Sequence, residues 1–170
     1  VAATPIQMAM MMSAVANDGK LMRPMLVHSL RDESGRVVVK YHSESIRQVV
    51  SSETAAKVTE ALKTVVGEGG TAKRARMQYH TVAGKTGTAQ KPGPGGYMPG
   101  KYYSSFVGFF PADEPALCIL VGLDEPAGDY YGGLTAAPVF KAIAERTASY
   151  LGIKPDLVEQ GTVVSSREEP

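Results

Sequence analysis

One four-residue word in the sequence combines a cation, two hydroxyls and a glycine: Lys85-Thr86-Gly87-Thr88. Together with Gly84 it matches the end of a phosphate-binding P-loop, whose motif closes on Gly-Lys-Thr. That interpretation fails on spacing, because the motif requires a glycine where this sequence has Tyr79. It also requires a helix to follow, whereas the residues up to Gln90 continue a predicted strand. A nucleotide site is therefore excluded, and the word is assigned to a strand.

Other side chains with reactive chemistry give weaker signals. The histidines and the cysteine are His28, His42, His80 and Cys118. Their spacing matches no metal-ligand motif, so we expect neither a metal nor a cofactor. Asp124, Glu125 and Asp129 cluster in a predicted loop, where they could hold a cation or act as acid and base. A solvated loop is the favoured interpretation, because no second set of ligands accompanies them.

Composition bounds the class of protein. The chain has 170 residues, of which 44% are apolar and 21% charged, and its formal net charge is +1. These values indicate one globular domain. The densest basic group is Lys73, Arg74 and Arg76, which is too small for a phosphate-tracking surface, so a nucleic-acid partner is not expected. The single Cys118 excludes an internal disulfide, and no apolar stretch is long enough to span a bilayer.

Three helices are predicted around the strand that carries Lys85. The first begins with Thr4 as N-cap, Pro5 at the first helical position and Gln7 three residues after the cap, and it runs to about Asn17. Its residues are apolar nearly all round, which predicts burial on several sides. The second starts at Ser51 or Ser52 and continues through Val66, and the third spans 136–151.

The strands are predicted from alternation and turn residues. Residues 25–30 and 36–41 form a hairpin, and three further strands cover 80–90, 102–110 and 116–123, with a Pro/Gly loop over 91–100. Short connections favour antiparallel neighbours. The fold class is therefore α+β, an antiparallel sheet flanked by helices. We expect residues 1–153 to belong to one domain and 154–170 to form a largely disordered tail.

Lys-Thr-Gly, with Ser-x-x-Lys and Ser-Asp-Asn, is the signature set of penicillin-binding proteins and class A β-lactamases. Further landmarks follow in order: Thr4-Pro5-Ile6-Gln7, Ala16-Asn17-Asp18-Gly19-Lys20, Gly70-Thr71-Ala72, residues 84–90, Ser105-Phe106-Val107-Gly108-Phe109, Asp124-Glu125-Pro126 and Ala137-Pro138-Val139-Phe140. On these, the sequence resembles class B penicillin-binding proteins, the septal cell-division type in particular, over nearly its whole length. The resemblance implies the C-terminal part of a transpeptidase domain.

The resemblance also implies roles for the four residues of the word. Lys85 supplies positive charge toward a carboxylate or toward the proton relay of a neighbouring serine. Thr86 and Thr88 offer hydroxyls to the terminal carboxylate of a peptide, and the Thr88 amide faces a developing oxyanion. Gly87, without a side chain, lets substrate or antibiotic lie along the strand. Lys85 and Thr88 are thus the expected catalytic residues, and all four are expected to bind substrate.

Two motifs of such enzymes are absent from this sequence. No serine is followed at the third position by lysine, and the only asparagine, Asn17, is preceded two places back by Val15. We expect the nucleophilic serine and the Ser-x-Asn motif to lie before Val1. This chain alone is therefore expected to be inactive, with exposed apolar surface and a tendency to self-associate.

The same resemblance implies the surroundings of the parent protein. Its partners would be peptidoglycan stem peptides, β-lactam antibiotics as inhibitors, the upstream half of the transpeptidase domain and division proteins. Its place would be the extracytoplasmic face of the bacterial membrane, held by an N-terminal anchor outside this chain.

Two alternatives remain open at this point. In the first, the same fold binds β-lactam or peptidoglycan peptide without catalysis, as a sensor or scaffold. In the second, the chain is an interaction domain in which Lys85 is a solvated strand lysine and the four-residue word is accidental.

Overall fold

The computed structural model describes residues 3–157. Its helices are α1 (Pro5–Ala16), α2 (Ser52–Val66) and α3 (Ala136–Leu151), with a short 3-10 helix at Lys73–Ala75. Its strands are β1 (Lys20–Met22), β2 (Ser29–Arg31), β3 (Val37–Lys40), β4 (Ser45–Gln48), β5 (Ala83–Gly93), β6 (Gly96–Phe110) and β7 (Leu117–Asp124). The predicted α+β class, an antiparallel sheet flanked by helices, is confirmed.

The main sheet has three antiparallel strands in the order β5-β6-β7. β6 is central: Val107, for example, lies opposite Lys85 of β5 and Leu120 of β7. The short connections that predicted this meander are present. Two smaller antiparallel pairs, β1 with β4 and β2 with β3, lie apart from this sheet.

Helices cover both faces of the main sheet. On one face, Phe106 and Phe110 of β6 pack with Phe140 of α3, and the rings of Phe106 and Phe140 meet edge to face at 4.8 Å. On the other face, Val107 and Phe109 pack with Met12 of α1. Alternate residues of one strand therefore point into two separate cores, as the period of a β-strand requires.

The first helix begins as predicted but is less covered than predicted. The Thr4 hydroxyl accepts a hydrogen bond from the Gln7 amide at 3.3 Å, and the Gln7 side chain accepts one from the Thr4 amide at 2.8 Å. Met12 is buried, whereas Ile6 is 58% exposed and Met11 57%. Helix α1 contacts β1, β6, β7 and α2, as burial on several sides requires, but the exposure of Ile6 and Met11 shows that the predicted burial is incomplete in this chain.

The predicted Pro/Gly loop over 91–100 is largely an extension of the sheet. β5 continues to Gly93 and β6 starts at Gly96, with Gly93 and Gly96 paired across a tight turn. Gly95 and Gly96 have positive φ, which a tight turn needs and which glycine adopts without strain. The prolines fit because the pairing register shifts between Gln90 and Pro92.

The described residues of the predicted tail contact the domain. The Asp156 carboxylate accepts hydrogen bonds from the amide and the hydroxyl of Thr81, and the Asp156 amide donates to the Tyr79 carbonyl at 3.2 Å. Residues 158–170, where most of the predicted tail lies, are outside the described residues. Between residues 3 and 157, none of the helices combines the length and the apolar character needed to cross a membrane.

Candidate active site

The four-residue word Lys85-Thr86-Gly87-Thr88 lies on an edge strand. Residues 85–88 belong to β5 and pair with residues 104–107 of β6, and within the described residues β5 has no partner on its other side. Lys85 and Thr88 are exposed, and Thr86 and Gly87 are half-buried. A strand of this kind leaves backbone donors and acceptors free to pair with an extended ligand.

Alternation divides the four side chains between the two faces of the sheet. Lys85 lies opposite Val107, whose side chain belongs to the core beneath α1. Thr86 lies opposite Phe106, whose side chain belongs to the core beneath α3. The lysine and the threonines therefore reach the free edge of β5 from opposite faces.

The Thr86 hydroxyl has two polar neighbours. Lys85 Nζ donates to Thr86 Oγ1 at 3.3 Å and to the Thr86 carbonyl oxygen at 3.2 Å. The hydroxyls of Thr71 and Thr86 lie 3.1 Å apart. Thr71 comes from the turn after α2, so a distant segment completes the surroundings of Thr86.

A second distant segment, the loop 130–134 before α3, lies against Thr88. The Gly132 amide donates to Thr88 Oγ1 at 3.2 Å, and the Ser104 hydroxyl donates to the Tyr130 carbonyl. Arg74 Nη1 donates to the Leu134 carbonyl at 3.2 Å. These hydrogen bonds tie the loop to β5, β6 and the 3-10 helix.

Glycines permit the close packing around the strand. A Cβ on Gly132 would overlap the carbonyl oxygens of Ser105 and Gly87, and one on Gly133 would overlap the carbonyl oxygen of Thr71. A Cβ on Gly87 would meet the Ser105 hydroxyl. The absence of a side chain at Gly87 thus has a packing reason within the fold, in addition to the predicted contact with substrate.

Ion pairs hold the far end of the β5–β6 hairpin. Lys91 Nζ lies 2.9 Å from Asp124 Oδ1 and 2.9 Å from Glu125 Oε1, and Lys101 also contacts Glu125. The Lys101 hydrogen bond, followed by the Lys91 one, lowers the pKa of Glu125. The hydrogen bonds that Lys91 donates to Asp124 and then to Glu125 raise the pKa of Lys91. Asp124 and Glu125, considered as cation ligands from sequence, are therefore engaged by lysines.

The remaining reactive side chains have structural surroundings. His80 is buried, with Nε2 3.1 Å from the Ile153 carbonyl oxygen and its ring edge to face with Phe110. Burial raises the pKa of the Cys118 thiol, which disfavours the reactive thiolate. Over the described range 3–157, no three His, Cys, Asp or Glu side chains are grouped closely enough to hold a metal ion.

Sequence reasoning placed Lys85, Thr86, Gly87 and Thr88 on one strand, and the structure has them there. It gave no role to Thr71 or to the loop 130–134. Both contact β5 across long sequence separations, such as the 44 residues between Thr88 and Gly132. The signals available were the Gly70-Thr71-Ala72 landmark and the Gly132-Gly133 pair, which indicate close backbone approach without saying to what.

The sequence of this chain matches one protein family and is similar to individual members of it. The family described as the penicillin binding protein transpeptidase domain matches residues 1–145. Stage V sporulation protein D of Bacillus subtilis is 40% identical over 91% of this chain and 24% of its own length. The probable peptidoglycan D,D-transpeptidase PbpC of Pseudomonas aeruginosa is 36% identical over 95% of this chain and 27% of its own.

A solved structure agrees with these relatives. The transpeptidase domain of penicillin-binding protein 3 from Burkholderia pseudomallei superposes with a TM-score of 0.77 at 32% identity, covering 92% of this chain and 45% of that one. The chain therefore spans about a quarter of the length of the two curated relatives and less than half of the solved domain.

Proposed function

Because the chain belongs to the penicillin-binding protein transpeptidase family, of the class B type, we propose that it forms one wall of the active site of a peptidoglycan D,D-transpeptidase. One observation carries the proposal: Lys85, Thr86 and Thr88 meet at the outer edge of β5, with a cation and two hydroxyls beside backbone groups that no other strand among residues 3–157 pairs. This set suits a peptide that ends in a carboxylate.

The reaction is acyl transfer between two stem peptides. A serine hydroxyl adds to the carbonyl carbon of the donor peptide, the C–N bond breaks, and the amine leaves with the proton that the serine gave up. An amine of a second peptide then attacks the resulting ester, forms the cross-link and returns the proton to the serine oxygen. A β-lactam would enter the same first step and remain as the ester.

Residues of this chain would orient and stabilise the reacting groups. Lys85 places a cation at the strand edge, where it favours a carboxylate and a neighbouring serine oxygen. Thr86 and Thr88 would bind the terminal carboxylate, and the Thr88 amide would face the developing oxyanion. In this proposal the serine lies in another part of the protein, because residues 1–170 contain no Ser-x-x-Lys motif.

The cellular setting forms part of the same proposal. The resemblance of the Gly-Thr-Ala-Gln continuation at 87–90 and of the strand at 105–109 supports the septal type, with division proteins as partners. An extracytoplasmic location with an anchor elsewhere in the protein follows from that assignment, since the substrate is the cell wall.

Intact-mass spectrometry after incubation with benzylpenicillin tests the proposal. We expect no adduct on this chain and one stoichiometric adduct on a version extended upstream through the complete transpeptidase domain. In that version, Lys85→Met should slow acylation by about a hundredfold or more, the usual range for losing a group that assists proton transfer. Lys57→Met is the matched control, because Lys57 lies on the surface of α2 and, among residues 3–157, pairs with Glu53 alone.

Three outcomes would contradict the proposal. Saturable binding of penicillin without an adduct on the extended version would favour a non-enzymatic binding module of the same fold. Equal acylation rates for Lys85→Met and Lys57→Met would remove Lys85 from the reaction. An adduct on the short chain would show that a nucleophile other than the expected serine is activated here.

A further inference from the structure

We propose that Thr71 is a positioning residue for carboxylate recognition: it donates a hydrogen bond to Thr86 and thereby directs the Thr86 proton toward the substrate. The inference rests on the proposed function, because it presupposes a carboxylate at the edge of β5. The distance between the two hydroxyl oxygens, 3.1 Å, is within hydrogen-bonding range.

The role of Thr71 depends on the hydrogen-bond donors and acceptors around the Thr86 hydroxyl. A hydroxyl has one proton to donate and two lone pairs that accept. Lys85 Nζ, at 3.3 Å, occupies one lone pair of Thr86 Oγ1 because an ammonium group can only donate. If Thr71 donates to the other lone pair, the single proton of Thr86 has no acceptor among residues 3–157 and is free for an incoming anion.

A bound carboxylate selects that arrangement. An ionised carboxylate is an acceptor only, so it takes the Thr86 proton, and hydrogen bonds to charged groups are stronger than those between neutral groups. Thr86 can then no longer donate to Thr71. The Thr71–Thr86 contact survives only with Thr71 as the donor.

Thr88 has the same arrangement with a backbone donor. The Gly132 amide donates to Thr88 Oγ1 at 3.2 Å, so this hydroxyl also has a donor behind it and its proton available. Both threonine oxygens therefore accept a hydrogen bond from the protein, Thr88 from an amide and Thr86 from a hydroxyl. The two protons can be offered to one carboxylate together.

Thr71 is held in place by its own backbone. The Ala72 amide donates to the Val65 carbonyl at 2.9 Å, and the Gly70 amide donates to the Gly67 carbonyl at 3.0 Å. The Gly133 backbone packs directly on the Thr71 carbonyl oxygen. The hydroxyl is thus presented by a turn fixed on both sides, as a positioning group requires.

The experiment compares Thr71→Val and Thr71→Ser in the complete transpeptidase domain. The second-order acylation rate constant is measured for benzylpenicillin, which carries a carboxylate, and for its methyl ester, which does not. Thr71→Val should lower the rate constant for benzylpenicillin by about threefold to tenfold, as expected for losing one hydrogen bond at the carboxylate subsite. The rate constant for the ester should be unchanged, and Thr71→Ser should restore the preference for the carboxylate.

Thr64→Val is the matched control, because the Thr64 hydroxyl donates to the Ala61 carbonyl in its own helix and has no other hydrogen-bond partner in the described part of the chain. If Thr71→Val does not fold, Thr71→Ala removes the same hydroxyl with less bulk. An unchanged carboxylate-to-ester ratio in both hydroxyl-less variants would overturn the role of Thr71 and leave the proposed function standing. Absence of acylation in the unmodified domain would overturn the proposed function itself, and this role with it.

Discussion

Gly132 lies where the loop before α3 touches two strands at once. Its amide donates to the Thr88 hydroxyl at 3.2 Å, and a Cβ at this position would overlap the carbonyl oxygens of Ser105 and Gly87. Both obstacles are backbone atoms of the central sheet, which cannot rotate away as a side chain can. A side chain at Gly132 therefore has to displace the loop.

Replacing Gly132 by alanine should destabilise the complete domain by about 1–3 kcal/mol, the usual cost of overpacking, and should slow its acylation by penicillin. Urea unfolding and acylation kinetics measure the two effects. Gly69→Ala is the control, because nothing lies within 4 Å of a Cβ built at Gly69. Equal stability of the two variants would contradict the close contact described for Gly132.

The strand residues of the site could be predicted from sequence, but their neighbours could not. Lys85 to Thr88 form a contiguous motif, and their alternation on a strand follows from local pattern alone. Thr71 is 15 residues from Thr86 and reaches it only because the turn after α2 lies beside β5. The contact between Thr71 and Thr86 depends on packing between elements, which the local sequence pattern does not indicate.

The β5–β6 hairpin is the element that sequence described least well. Its prolines and glycines indicated a loop over 91–100, yet the strands continue to within two residues of each other. Local composition predicted a loop that includes the observed turn, but it could not indicate the ion pairs that link both strands to Glu125. By contrast, the start of α1 was predicted correctly because a capping box is completed within four residues.

The strands β1 and β4 were not predicted at all. Each is short, three residues in β1 and four in β4, so neither shows an alternation long enough to read. Their pairing joins residues 20–22 to 45–48 across the β2–β3 hairpin. A short strand of this kind exists only through its partner, and the sequence gives no sign of which partner that is.

The ion pairs at the far end of the hairpin should make its anchoring depend on pH. Glu125 has a lowered pKa in the folded chain, caused first by Lys101 and then by Lys91. Its carboxylate therefore stabilises the fold above the ordinary pKa of glutamate, and this contribution is lost as the pH falls through the lowered folded value. Glu125→Gln should be less stable than the unmodified chain at neutral pH.

The difference in unfolding free energy between the two proteins should shrink in acid and in high salt, because salt screens exposed pairs. Urea titrations across the acid range measure it. The control is Glu114→Gln, an exposed carboxylate with no ion pair among residues 3–157. A gap for Glu125→Gln that stays constant from neutral to strongly acid pH would show that the ion pairs do not anchor the hairpin.

Between residues 3 and 157, the chain exposes apolar side chains that are not covered by any other part of its own core. Residues of α1, β1 and the segment after β4 line a groove of about 370 Å³, which we call the α1 groove: Gln7, Met10, Met11, Ala14, Val15, Leu21, Val49 and Val50. Only Gln7 among them is polar. In the proposed complete domain, the remainder of the transpeptidase fold would cover the α1 groove. In the isolated chain the groove is exposed to water.

The isolated chain should therefore self-associate through the α1 groove, since burying exposed apolar area is favourable. The double variant Met11→Gln with Val49→Gln replaces side chains that are 57% and 42% exposed. It should weaken association by about thirtyfold, because each of the two substitutions removes roughly 1 kcal/mol of burial, or about 2 kcal/mol together. Sedimentation velocity over a concentration series measures the change.

Leu26→Gln with Tyr150→Gln is the control, because both side chains are exposed outside the groove, at 103% and 88%. If the unmodified chain stays monomeric at every concentration, the α1 groove does not drive association. If the control double variant weakens association equally, the role of the α1 groove is not specific.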